Sequence, residues 1–123
     1  MTTQEVADKY IALNREGKGM QALEELFSDD SYDVEPKGAP VERTEGKEAL
    51  IKKHEQFGEM VEEVHGMEIS DPVVADNFFS CSMKMDVTYK GMPRMTMEEI
   101  CLYEVKDGKI IASHFYFTPM QPN

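Results

Sequence analysis

The stretch FFSCSMKMDVTYKGMPRMTMEEICLYEV, residues 78–105, decides the architecture. Phe79, Cys81, Met83, Met85, Val87 and Tyr89 alternate with Ser80, Ser82, Lys84, Asp86 and Thr88, the period of two that marks a half-buried strand. Lys90-Gly91-Met92-Pro93 is a turn signal, and a second strand follows from Met95 to Val105. With Gly91 and Met92 near the turn centre, Cys81 lies opposite Cys101, Met83 opposite Glu99 and Met85 opposite Met97. Met95, Met97, Glu99, Cys101 and Tyr103 then share one face. Glu99 becomes a carboxylate on a methionine-rich surface, where burial would raise its pKa. The alternative is a bulge that leaves both Glu98 and Glu99 in water, since one residue of slippage exchanges the faces.

Toward the C-terminus, Lys106-Asp107-Gly108-Lys109 reads as a tight hairpin with glycine at a positive φ, and Ile110 to Thr118 as the last strand. Its His114 is expected on the side opposite Phe115 and Phe117. Toward the N-terminus the period becomes helical. Met67-Glu68-Ile69 reads as a brief strand, and before it Leu50, His54, Phe57, Val61 and Val64 recur at spacings of four and three. This predicts a helix from Gly46 to about Gly66, with His54 on its apolar stripe. Such a histidine is either a satisfied core residue or part of a cavity wall, because an unpaired buried polar group costs about 1–3 kcal/mol.

Val6, Ala7, Tyr10 and Ile11 predict a first helix over residues 2–15, with Thr2 or Thr3 as N-cap and Glu5 in the first turn. Met20, Leu23, Leu26 and Phe27 predict a second, short helix ending near Ser28-Asp29-Asp30, followed by an extended piece from Ser31 to Glu35 that Pro36 stops. Three helical segments before an antiparallel meander give an α+β fold, with helices packed on one face of a curved sheet. Residues 1–123 are expected to form one domain.

The charge balance restricts the partners. The chain carries 24 acidic and 13 basic residues, net −11, which repels phosphate backbones and anionic membranes. No basic patch relieves this, so neither nucleic acid nor membrane is expected. No apolar run approaches the roughly 20 residues of a membrane span. The start MTTQEVADKY lacks the basic and apolar regions of a signal peptide, so the expected location is cytoplasmic. Cys81 and Cys101 are then expected reduced and inert. No cluster with metal-ligand spacing appears, and no cofactor is expected.

Tyr10, Glu35, His54 and Glu99 are polar groups at positions predicted to face inwards or to close a pocket between helices and sheet. With this element order, the chain resembles the NTF2-like, SnoaL-like superfamily, which implies a cone of strongly curved sheet around the helices. Within it, the chain is most similar to ketosteroid isomerase. KYIALNREG (residues 9–17) resembles the stretch holding that family's oxyanion-hole tyrosine, which falls on Tyr10. SDDSYDVEPKG (28–38) resembles the stretch whose carboxylate before a proline is the general base, which falls on Glu35. In GKEALIKKHEQF (46–57), His54 replaces a tyrosine that supports the catalytic one. In MEEICLYEVKDGKI (97–110), the family's protonated aspartate falls on Glu99, with Tyr103 matched to its aromatic residue and a one-residue gap in the hairpin. Both carboxylates are glutamates here, each a methylene longer, and a shift of about 1 Å can cost on the order of 100-fold in rate.

The resemblance implies proton transfer next to a carbonyl. Glu35 is the base, Tyr10 and a protonated Glu99 donate to the oxyanion, and His54 orients Tyr10 or acts as a second acid–base group. Phe57, Met83, Met85, Met97, Cys101, Phe115 and Phe117 are the expected apolar lining for a small guest, and the methionines serve core packing as well. The alternative function is a non-catalytic ligand-binding or dimerisation module, since fold alone does not give activity. Apolar residues on both strand faces, notably Phe78/Phe79 and Phe115-Tyr116-Phe117, predict a homodimer through the outer sheet face.

Overall fold

The computed structural model describes residues 1–119. Helix α1 (Thr3–Arg15) starts where Thr2 and Glu5 form a reciprocal capping box: the Glu5 amide donates to Thr2 Oγ1 at 3.1 Å and the Thr2 amide to Glu5 Oε1 at 2.8 Å. It buries Val6, Ala7, Tyr10, Ile11 and Leu13. Gly17, at φ +74°, turns the chain into α2 (Gly19–Leu26), which buries Ala22, Leu23 and Leu26.

Strand β1 (Phe27–Val34) begins directly after Leu26. Phe27 to Asp30 are therefore strand, not the end of the second helix, because Phe27 already pairs with Ile110. β2 (Arg43–Glu45) lies antiparallel on β1, and α3 (Lys47–Met60) follows. β3 (Val61–Ile69) and the short β4 (Val73–Ala75) both pair with β5 (Phe78–Tyr89). β6 (Met95–Lys106) and β7 (Lys109–Tyr116) complete a seven-stranded sheet in the order β2-β1-β7-β6-β5-β3, with β4 as the seventh strand, off this path on β5.

The β5–β6 register pairs Cys81 with Cys101, Met83 with Glu99 and Met85 with Met97. Asp107 and Gly108 both have positive φ, 52° and 75°, the backbone a two-residue hairpin turn requires. One ladder, β1–β7, is parallel; all others are antiparallel. Register shifts in β1–β7, β3–β5 and β6–β7 bend the sheet into the curved wall of the cone.

The third helix is shorter than its apolar spacing predicts. Val61 and Val64 continue the four-and-three pattern, yet they pair with Tyr89 and Val87 as part of β3. Their β-branched side chains favour the pleated surface. Inside the cone, α1 packs against β3, β4, β5 and β6, while α3 packs against α2, β1, β2 and β3. The core centres on Val6, Leu26, Phe79, Tyr103 and Ile110. No helix among the described residues is long and apolar enough to cross a membrane.

Candidate functional site

β1 puts Asp33 on the inner face, Glu35 follows one residue beyond its end, and α3 delivers Lys53 to both. Lys53 Nζ lies 3.0 Å from Asp33 Oδ2 and 3.0 Å from Glu35 Oε2. The Asp33 side chain is 10% exposed and that of Lys53 31%, so the pair is half out of water and stronger than a surface contact. Lys53 Nζ also stands 5.9 Å from the centre of the Phe115 ring.

Glu99 projects from β6 onto the same face. Burial raises its carboxyl above the ordinary glutamate range, and the nearby Glu35 and Asp33 charges push the same way, against Lys53 and a Cys101 thiol donating at 3.6 Å. The Cys101 thiol is itself pushed up by its hydrogen bond with Cys81 and by burial. Around Glu99, Met83, Met85 and Phe115 are half-buried. Met97 and Phe57 sit at the rim, 39% and 36% exposed. The Tyr89 hydroxyl donates to Met97 Sδ, and Phe57 meets the Tyr89 ring edge-on at 5.8 Å. Phe117 is half-buried just beyond the end of β7.

Deeper in the cone, the Tyr10 and Tyr103 hydroxyls form a short hydrogen bond. Both rings are nearly sealed by Phe27 and Phe79, and Phe79 stacks on Tyr103 at 4.8 Å. Burial raises both phenols well above their ordinary range, so each keeps its hydrogen at neutral pH. One hydrogen bridges the pair and one remains to be donated.

Three of the four polar residues singled out by the sequence, Tyr10, Glu35 and Glu99, therefore belong to the concave side. His54 does not: its side chain is exposed, and its ring lies against Gly19 at the start of α2. The inward line of α3 runs Leu50–Lys53–Phe57, steps of three and four, rather than Leu50–His54–Phe57. The partner of Tyr10 is Tyr103 and not His54. Asp33 and Lys53 were also missed. The signal for Asp33 was its position two residues before Glu35 in one extended piece, and for Lys53 its position three after Leu50. Among the described residues no group of three or more His, Cys, Asp or Glu side chains is placed to hold a metal ion.

A hollow of about 710 Å³ opens at the sheet between β3, β5 and β6, where the inward Met83 and Glu99 meet the outward-facing Ser82, Lys84, Glu98 and Tyr116. It shares Met83 and Glu99 with the concave side but not Asp33, Glu35 or Lys53, so the convergence of buried polar groups lies on the concave side, the better candidate.

Comparison with known proteins agrees with this architecture. The sequence matches the SnoaL-like domain over residues 1–117. The chain belongs to the SnoaL-like family. A Mesorhizobium loti protein of known structure, provisionally assigned as a SnoaL-like polyketide cyclase, is 37% identical. It superposes with a TM-score of 0.90 over 95% of this chain and 100% of its own. More distant structures share the fold. A Xanthomonas campestris protein of cystatin-like fold has 16% identity and a TM-score of 0.79, covering 94% of this chain and 90% of its own. A Catenulispora acidiphila protein of ketosteroid isomerase-like fold, in complex with trimethylamine, has 21% identity and a TM-score of 0.73, covering 93% and 85%. Among curated proteins none matches the chain in sequence.

Proposed function

We propose that this SnoaL-like protein binds a small apolar carbonyl compound on the concave face and moves a proton next to the carbonyl, as an isomerase or lyase. The observation that carries this reading is Glu99, whose carboxyl burial pushes above the ordinary glutamate range on a methionine-lined strand face, near the Asp33–Lys53–Glu35 group. A base and a hydrogen-bond donor at opposite sides of a carbon acid are what enolisation requires. Glu35 takes the proton from the carbon next to the carbonyl, while Lys53 holds its carboxylate in place. Glu99 and the spare hydroxyl hydrogen of the Tyr10–Tyr103 pair donate to the oxyanion. Glu35 then returns the proton to a carbon of the enolate.

Exchange of the ketone's α-hydrogen in deuterated water tests the step directly, with cyclic enones and aryl ketones as substrates. Glu35→Gln should lower exchange by on the order of 10²-fold or more and leave ketone binding nearly unchanged, since the base acts mainly in the transition state. Equal exchange by wild type and variant would refute the role of Glu35.

One observation favours a non-catalytic ligand-binding or dimerisation module: Tyr10, the expected oxyanion donor, is enclosed by aromatic rings and already engaged by Tyr103. Under that reading ketones bind and no exchange occurs.

We also propose a cytoplasmic homodimer formed through the outer sheet face, where Phe78, Ile100 and Tyr116 stand 39%, 50% and 54% exposed. Sedimentation should give twice the chain mass at micromolar concentration; a monomer would count against the dimer.

A further inference from the structure

We propose that the outer face carries a second reaction centre, a Thr88–His65–Glu63 triad that accepts the acyl group of activated carboxylic esters. The arrangement begins with two irregularities in β3. The β3–β5 register shifts between Val61 and Glu63 and again between Val64 and Gly66. Glu63 pairs directly with Thr88, whereas His65 is the extra residue of the second bulge. Bulges re-aim side chains, and here the ring of His65 reaches across to β5. Its Nε2 lies 2.8 Å from Thr88 Oγ1, and its Nδ1 lies 2.6 Å from Glu63 Oε2. The histidine side chain is only 19% exposed although its strand is at the sheet edge.

The hydrogen-bond directions depend on the tautomer, and the reactive form is the neutral ring beside an ionised carboxylate. An ionised Glu63 can only accept, so Nδ1 carries the hydrogen. The neutral ring then presents a lone pair at Nε2, and Thr88 must donate to it. A hydroxyl bonded to a base that a carboxylate orients is the geometry of an activated nucleophile. Two residues from Thr88 on the same strand face, Asp86 grips Arg94 with two hydrogen bonds of 2.9 and 2.7 Å. This fixes a positive guanidinium close enough to feel the Glu63 charge.

The reaction balances without further reagents. Thr88 Oγ1 attacks the ester carbonyl and its proton passes to His65 Nε2. The C–O bond to the alcohol breaks, and the departing oxygen takes that proton. Water, deprotonated by the same nitrogen, hydrolyses the acyl-threonine to the carboxylic acid and restores the hydroxyl. This centre is separate from the concave face, since Thr88 and Asp86 alternate with the inward-facing Val87. It also lies about 20 Å along β5 from Ser82, the partner of Ile100, so a dimer built around Phe78, Ile100 and Tyr116 leaves it open.

p-Nitrophenyl acetate supplies the test. Wild type should release nitrophenol and acquire an acetyl group that peptide mass analysis locates on Thr88. Thr88→Ser should retain turnover with an unchanged melting temperature, while Thr88→Ala and His65→Gln should lower it by roughly 10²-fold. Glu63 is a positioning residue, so Glu63→Gln should reduce kcat and leave KM unchanged. Full turnover by Thr88→Ala, or acetyl found on His65 rather than Thr88, would overturn the proposal.

Discussion

The end of the cone capped by α1 and the end left open beside α3 share the same long strands, β5 and β6, but are filled differently. At the capped end Phe79 and Tyr103 are 1% exposed and Val6 is fully buried, with Tyr10 wedged among them. At the open end the same strand faces carry Met85 and Met97, and the neighbouring Phe57, Met60 and Met67 are 36%, 59% and 39% exposed. The helices account for the contrast: α1 lies across four strands, whereas α3 leans on β1, β2 and β3. The capped end is built for stability and the open end is free to take a guest. Methionine suits the second task, because its unbranched, polarisable side chain repacks at little cost.

Substitutions should separate the two ends. Phe79→Ala should cost about 3–5 kcal/mol, read by chemical unfolding. Tyr103→Phe removes only the hydroxyl partner of Tyr10 and should cost about 1–3 kcal/mol. Between the ends, Lys53→Met leaves Asp33 and Glu35 facing each other without their cation. The half-exposed lysine makes the loss about 1–3 kcal/mol, short of the 3–5 kcal/mol of a fully buried pair. If Lys53→Met were harmless, the carboxylates would have to be well solvated, contrary to the 10% exposure of the Asp33 side chain.

Glu99 gives the comparison a pH dependence. Its folded-state pKa is raised above the ordinary value of 4.5, so the folded protein holds the proton more tightly than the unfolded chain. Stability from this group is therefore full below about pH 4.5 and declines as pH rises toward the raised folded value. Glu99→Gln should remove that decline, making the variant gain on wild type at neutral pH relative to acid pH in denaturation curves taken at both. A parallel pH dependence in the two proteins would place Glu99 in water. Met97→Ala, at the open rim, should have the smallest effect, less than about 1 kcal/mol, while still altering ligand affinity.

The same contrast explains what could be read from the chain. The β5–β6 register was legible because strict alternation and one turn, Gly91-Met92, fix it locally, and with it the inward position of Glu99. The capping box of Thr2 and Glu5 was equally local. The end of α3 was not legible, because Val61 and Val64 keep the helical spacing while their pairing with Tyr89 and Val87 is a long-range contact. His54 was misplaced for a related reason. Spacings of three and four are both helical, so Lys53 and His54 compete for one face, and only the carboxylates of β1 decide between them. The parallel β1–β7 ladder joins residues as far apart as Phe27 and Ile110, and no local period records it. Tyr103 was read as an aromatic of the wall, and its hydroxyl bond to Tyr10 appears only when β6 meets α1.

The most direct test of the concave-face site is methionine-methyl NMR during titration with an aryl ketone. The predicted result is that the Met83, Met85 and Met97 methyls shift in fast or saturable exchange, while Met20, packed in the closed core, and Met92, in the exposed β5–β6 turn, stay in place. Shifts confined to Met92 or Met1, or none up to the solubility limit of the ketone, would contradict the account.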